Sequence, residues 1–332
     1  MQLNLSEYCN REITCSCGSV HFCPINDVKV GSGVLKELPT LLNEYKHILI
    51  VADTNTYDVC GREVENLLRG KVCFTHIYHR GGVLIPNEEA VNELLECIPC
   101  ETDFVLGIGS GVMNDICKFV TREKGLKCGI VATAPSMDGY ASSGAAMITN
   151  GMKVTYTTHP PIYIIADIDY IKQAPMHMIR SGYGDIIGKY SSLNDWKLSH
   201  FVLGEPFCDE IYRLIYDVTE SVRHSVNQII NRENEAIENL MNALILIGIT
   251  LSFLGTTRPG SGGEHHLSHF FEVVGLVRNE PHYPHGTDVA YATIFTAFMR
   301  ECICAVDKPV FTNETIEERH KNWKRIYGPL YD

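Results

Sequence analysis

Apolar and polar positions alternate along the first half of the chain in short blocks. Nearly continuous apolar, β-branched runs occur at His47–Ala52, Val72–Ile77, Asp103–Ile108, Gly129–Thr133 and Ile162–Ala166, as expected for strands buried on both faces. Between them, apolar residues recur with a helical period at Val34–Tyr45, Val59–Leu68, Asn87–Leu95 and Val112–Glu123. Such strands separated by amphipathic helices predict an α/β layer with a mostly parallel sheet covered on both sides. From about Ile171 the strand signal ends and 3.6-residue periodicity takes over, including Asp209–Asn231 and Ala236–Leu254. The expectation is an α/β domain over residues 1–170, with a Cys-rich N-terminal extension, and an all-α domain over 171–332. A length of 332 residues agrees with two domains at about 150 residues each. No linker is visible, so a cleft between the two parts is expected.

Composition narrows the function. With 28 basic and 40 acidic side chains the net charge is −12, which deprives the chain of the general attraction to phosphate backbones that nucleic-acid binding needs. Anionic membrane surfaces are disfavoured for the same reason. The most apolar run, Ala243–Gly255, is shorter than the roughly 20 residues a bilayer requires and reads as a buried helix. Nothing in Met1 to Glu12 resembles an export signal, so a cytoplasmic location is expected. The 13 cysteines then read mostly as reduced thiols. Cys9, Cys15, Cys17, His21 and Cys23 lack the spacing of two clean Cys-x-x-Cys pairs and are expected to be free thiols rather than a zinc knot. Cys97-Ile-Pro-Cys100 follows a helix instead of opening one, and reads as a helix stop rather than a redox pair.

Chemistry concentrates in five segments. Gly107-Ile-Gly109-Ser110-Gly111-Val112-Met113-Asn114-Asp115 follows a strand and opens a helix, which makes an anion site of the helix N-terminus. It departs from the G-x-G-x-x-G fingerprint, and a plain tight turn remains an alternative. Asp53 ends the first strand, where a carboxylate can accept hydrogen bonds from a ribose; a surface turn explains it equally well. Thr133-Ala-Pro-Ser136-Met-Asp138-Gly-Tyr-Ala-Ser142 would line the same crevice, or be simply a loop. Gly182-Tyr-Gly184-Asp185-Ile-Ile-Gly-Lys189 is placed at the start of the first helix of the second part, with Asp185 and Lys189 sharing one face; a surface ion pair is the plainer alternative. Finally, Arg258-Pro-Gly-Ser261-Gly-Gly-Glu264-His265-His266-Leu-Ser-His269 is followed by His282-Tyr-Pro-His285-Gly286. Ser261 and Glu264 have capping-box spacing, so a helix should start near Gly262. Its first turns would carry His265 and His269 on one face, with a loop histidine closing a chelating or substrate-facing set.

Taken together and in this order, these motifs resemble the sn-glycerol-1-phosphate dehydrogenases, most closely their bacterial branch. These belong to the superfamily of iron-containing alcohol dehydrogenases, glycerol dehydrogenases and dehydroquinate synthases. The resemblance runs from about Asn26 to the end. It implies a Rossmann-like N-terminal domain, a helical C-terminal domain of the dehydroquinate-synthase type, and a metal between them. By matching positions it implies Asp185, His265 and His285 as ligands of one divalent metal, which the donor set leaves open as zinc, nickel or iron. It puts His269 and Asp138 toward the substrate. It gives the dinucleotide, NAD(H) or NADP(H), to Asp53, Gly109, Ser110, Gly111, Val112, Met113, Asn114, Asp115, Thr133, Ser136 and Ser142. The implied reaction is reversible reduction of dihydroxyacetone phosphate to sn-glycerol 1-phosphate, and the implied assembly is a homo-oligomer, a dimer. Lys189 and Arg258 are the candidate cations for the substrate phosphate.

Three alternatives stand beside this. Oxidation of unphosphorylated glycerol would use the same cofactor and metal. Dehydroquinate synthase fits less well, since its first ligand is usually Glu where this chain has Asp185. A non-catalytic thiol or metal sensor on the same fold would explain the Cys-rich N-terminus. Bacterial relatives also often continue with further helices, whereas this chain stops soon after Tyr327-Gly-Pro; if those helices close the cleft or a dimer interface, impaired activity is expected.

Overall fold

The computed structural model describes residues 3–278, 280, 283–308, 314–328 and 331. Its strands are β1 (Glu12–Thr14), β2 (Val20–Phe22), β3 (Asp27–Gly31), β4 (Ile48–Asp53), β5 (Val72–Tyr78), β6 (Phe104–Gly109), β7 (Lys127–Ala132), β8 (Gly144–Thr149), β9 (Met152–Thr157) and β10 (Tyr163–Asp167). The short helices of the first half are α1 (Leu38–Leu41), α2 (Thr54–Thr56) and α3 (Arg62–Leu67); longer ones follow as α4 (Glu88–Cys97) and α5 (Gly111–Lys124). After α6 (Ile168–Ile171) the chain is helical: α7 (Met176–Leu203), α8 (Asp209–His224), α9 (Val226–Ile230), α10 (Asn234–Leu254), α11 (Gly263–Arg278), α12 (His285–Cys304) and α13 (Ile316–Tyr327).

Six strands form one parallel sheet in the order β3-β10-β7-β6-β4-β5. The five strands expected from the pattern are all in it. Side chains of β4 alternate faces, Ile48 and Ile50 entering one buried cluster while Leu49 and Val51 enter the other, so the run has to be apolar throughout. The edge strand β3 escapes the pattern because only Val28 within it is buried. The hairpin of β8 and β9 also goes unanticipated, although its turn is Asn150-Gly151, with φ of 52° and 73°, a strong two-residue hairpin signal.

The helical expectations mostly hold, with local differences. Val34–Tyr45 is not one helix but a 3₁₀ turn, Val34–Glu37, running into α1. Asp209–Asn231 breaks at Ser225 into α8 and α9. α7 starts at Met176, so Gly182-Tyr-Gly-Asp185 lies within a helix rather than at its start. The apolar helix α10 is longer than the run Ala243–Gly255: at 21 residues it has the length and composition of a membrane span, but 67% of its most apolar window is buried inside the fold, as in a core helix. The chain divides into two compact units, Met1–Thr296 and Ala297–Asp332; the first contains the sheet and every residue of the site below.

Candidate active site

The carboxyl ends of β4, β6 and β7 open onto one cleft of about 1940 Å³. That is larger than the roughly 300–1,000 Å³ of a typical small-molecule pocket, with room for a dinucleotide and a substrate together.

On the sheet side, the wall is the first turn of α5. Ser110 is its N-cap but makes no side-chain cap, so the first backbone N–H groups of the helix are left for an anion beside Ser110, Gly111, Val112 and Met113, which line the cleft. Asp53 also lines it; its carboxylate caps α2, Oδ1 accepting from Thr56 N–H at 2.9 Å. Asp115 lines the cleft while pairing with Lys118 at 2.9 Å. Thr133, Ser136, Asp138 and Ser142 complete this side. Gly109 and Asn114 are not on the surface of the cleft. A Cβ at Gly109 would come within 2.6 Å of Met113 Cβ, so that glycine serves the packing of α5 on β6. Asn114 is 1% exposed and donates to the carbonyl of Gly139 at 3.2 Å, tying α5 to the loop that carries Asp138.

On the helical side, Asp185 of α7, His265 of α11 and His285 at the start of α12 bring ligand atoms within 4.8 Å of one another. Backbone contact makes this convergence possible. A Cβ at Gly182 would lie 1.8 Å from Pro135 O, one at Gly184 2.5 Å from Gly286 O, and one at Gly286 2.0 Å from Ser181 O. Only glycine lets α7 and α12 approach each other and the β7 loop so closely.

The two histidines are held in matching states. His265 Nδ1 donates to Glu264 Oε1 at 2.8 Å, and His285 Nδ1 donates to Glu272 Oε1 at 3.1 Å. A carboxylate only accepts, so each ring keeps its Nε2 lone pair for another partner. His265 Nε2 lies 3.7 Å from Asp185 Oδ1. Asp185 is fully buried, which alone would raise its carboxyl; Lys189, His285 and His265 outweigh this and hold it at about 2. Burial likewise opposes ionisation of Glu264, yet the hydrogen bond from His265 brings it down to about 2. Glu272 is driven well below the ordinary range, against its burial, by His269, His285 and Lys153. Four carboxylates (Asp138, Asp185, Glu264, Glu272) thus share this corner with two ammonium groups, Lys153 and Lys189. The balance of two negative charges, two bare imidazole nitrogens and one carboxylate fits a divalent cation, with carboxylates orienting the rings from behind.

His269 lines the cleft but belongs to a neighbouring set: its Nδ1 donates to Glu272 Oε2 at 3.1 Å. His282 lies outside the described residues. The two cations expected at the substrate phosphate are elsewhere. Lys189 is fully buried, with its ammonium on Asp138 Oδ2 at 2.6 Å, Asp185 Oδ1 at 3.0 Å and Gly260 O at 2.9 Å, so no donor is left for a ligand. Arg258 pairs with Glu205 at 2.6 Å and does not line the cleft. Lys153 of β9 does line it. The pattern-based reading missed Lys153 with its hairpin, and it missed Glu272, although 265, 269 and 272 fall at helical i, i+4, i+7 spacing.

Residues 29–175 match the iron-containing alcohol dehydrogenase family. The chain is 34% identical over 287 residues to the NAD(P)+ glycerol-1-phosphate dehydrogenase of Halalkalibacterium halodurans, covering 84% of this chain and 72% of that protein. It is 34% identical over 288 residues to the enzyme of the same name from Bacillus licheniformis, with coverage of 84% and 72%. Among solved structures, the glycerol dehydrogenase of Schizosaccharomyces pombe superposes with a TM-score of 0.67 at 20% identity, over 93% of this chain and 75% of that one.

Proposed function

The chain belongs to the glycerol-1-phosphate dehydrogenases, and from that premise we propose how its own residues carry the reaction. It is an NAD(P)-dependent oxidoreductase that interconverts dihydroxyacetone phosphate and sn-glycerol 1-phosphate with a nucleotide and a divalent metal. When bound, the nucleotide supplies the hydride to C2 and the metal polarises the C2 carbonyl.

Asp185, His265 and His285 hold the metal. Glu264 and Glu272 fix the two rings, and Lys189 offsets the charge of Asp185 so that a fully buried carboxylate is tolerated. The uncapped first turn of α5 takes the pyrophosphate, Asp53 faces the ribose, and Thr133, Ser136 and Ser142 line the remaining length of the nucleotide. Asp138 borders the substrate. As the imidazolium, with Glu272 accepting from Nδ1 and stabilising the charge, His269 would give its Nε2 proton to the substrate oxygen as hydride arrives at carbon, and its partly exposed ring would regain a proton from solvent. Lys153, paired with Glu272 on the cleft wall, meets the substrate phosphate. The family's homo-oligomeric assembly and a cytoplasmic location belong to this reading; exposed Tyr291, Ile294 and Phe295 on α12 offer apolar surface to a second copy.

The observation that carries the proposal is the excess of two negative charges around two histidines with free Nε2 atoms. The test is NADH oxidation with dihydroxyacetone phosphate and with free dihydroxyacetone, before and after chelation. Turnover is expected with the phosphorylated substrate only and lost on chelation, and Lys153→Met should raise KM for that substrate but not for NADH. Turnover restricted to free dihydroxyacetone would overturn the substrate, and chelator-insensitive turnover would overturn the metal.

A further inference from the structure

The cysteines of the N-terminal extension are free thiols, as expected, but Cys15 and Cys17 are drawn together with His21 into one cluster. β1 and β2 pair antiparallel, with Ile13 opposite His21, and residues 15–19 turn the corner. In that turn Gly18 N–H donates to Cys15 O at 3.0 Å and Cys15 N–H to Ser19 O at 3.1 Å, with Gly18 at a φ of 85°. Cys15, Cys17 and His21 are thereby gathered at one end of the hairpin. There they meet Cys208, the residue that precedes α8, 193 positions after Cys15. The four donor atoms all lie within 4.8 Å of one another.

We propose that Cys15, Cys17, His21 and Cys208 form a second metal site, a Cys₃His zinc centre separate from the cleft. Bonds of about 2.3 Å to sulfur and 2.0–2.1 Å to nitrogen in a tetrahedron set edges of about 3.8 Å for S···S and 3.6 Å for S···N. The chain provides Cys15 Sγ to Cys208 Sγ at 3.5 Å, Cys17 Sγ to His21 Nε2 at 3.5 Å and Cys208 Sγ to His21 Nε2 at 3.7 Å. The imidazole is also in the required state. His21 Nδ1 lies 3.3 Å from the carbonyl oxygen of Phe253, which only accepts, so Nδ1 carries the proton and the Nε2 lone pair faces the three sulfurs. A backbone carbonyl behind a ligating histidine is the usual outer partner of such a site. His21 is 3% exposed and stacks on the Phe253 ring at 5.6 Å, which fixes the ring plane.

Three thiolates select zinc over the harder divalent ions. Four protein donors leave no open position, so this site binds and does not catalyse. None of the four lines the cleft. What they join is the N-terminal hairpin, the start of α8 and, through Phe253, the end of α10. A cross-link closing so long a loop restricts the unfolded chain and stabilises the fold. Cys9 and Cys23 stay outside: Cys9 Sγ donates to Leu5 O at 3.3 Å, and Cys23 is buried in the core.

The test uses the full chain. The cleft variant His265→Ala should retain one zinc per chain by elemental analysis. After cobalt substitution, both it and the unmodified protein should show a thiolate-to-metal charge-transfer band, which Cys17→Ser should lose. Should Cys17→Ser fail to fold, the unmodified protein decides: a mercurial thiol reagent should release one equivalent of zinc to a metallochromic indicator and lower the unfolding temperature. A metal-free His265→Ala protein, absence of the charge-transfer band, or a Cys15–Cys208 disulfide in the protein purified without reductant would each overturn the proposal.

Discussion

At the scale of single residues, the decisive groups are the carboxylates behind the histidines. Glu264 and Glu272 do not hold the metal in the proposed arrangement; each accepts a hydrogen bond from the Nδ1–H of a ligating histidine and so determines what Nε2 can do. Glu264→Gln leaves a neutral amide beside His265 and should weaken metal binding about 10- to 100-fold. Competition against a chromophoric chelator measures this, and an unchanged affinity would show that the carboxylate is dispensable. Asp288 offers a second check. Burial, reinforced by Glu272 and opposed by Lys153, pushes its carboxyl from 3.8 up to about 7. Below pH 3.8 it is protonated in both folded and unfolded chains. As the pH rises toward 7 the unfolded chain ionises freely while the folded one holds its proton, so stability is lost progressively and the loss levels off above about 7. Asp288→Asn should therefore unfold at the same temperature as the parent near pH 4 and at a higher one above pH 7. Thermal unfolding across that range reads the difference directly.

At the scale of elements, the site depends on how closely three pieces of backbone approach. Asp185 sits on α7 and His285 at the first position of α12, and the glycines beside them remove the atoms that would hold the two helices apart. In the sequence Gly182, Gly184 and Gly286 read as motif letters next to functional residues. In the fold they are contact points, with a Cβ at Gly286 falling 2.0 Å from Ser181 O. Gly286→Ala should force that backbone apart, costing about 1–3 kcal/mol and shifting His285 relative to Asp185. Both a lower unfolding temperature and weaker metal binding are expected; loss of stability with metal affinity intact would mean that the ligand geometry does not depend on this contact. The pairing of Asp185 with Lys189 shows the same dependence on packing. Four residues apart on a helix, they are compatible with a surface ion pair, and it is the packing of Gly260, Asp138 and His265 against them that makes the pair a buried one.

At the scale of the whole molecule, the net charge of −12 means that an anionic cofactor and substrate depend on local features such as the first turn of α5, Lys153 and the proposed metal. Ligands that bind these features select the folded state. NADH at about a hundred times its Kd should add about 2.7 kcal/mol to stability, seen as a rise in unfolding temperature that is smaller or absent for free adenine. The sequence by itself determined the parallel sheet and the helical second half, because strands buried on both faces must be apolar throughout and helices must repeat every 3.6 residues. It also indicated the family, through short motifs whose order survives in the linear chain. Tertiary structure alone decided which polar residues meet. Lys189 and Arg258 have the charge to hold a phosphate, but burial against two carboxylates and a salt bridge to Glu205 take them away from it. Glu272 and Lys153 come from a helix and a hairpin distant in sequence, and Cys208 lies 187 residues beyond His21. Periodicity records which side of an element is buried, whereas a binding site is a set of distances between elements, and those are fixed only once the chain has packed.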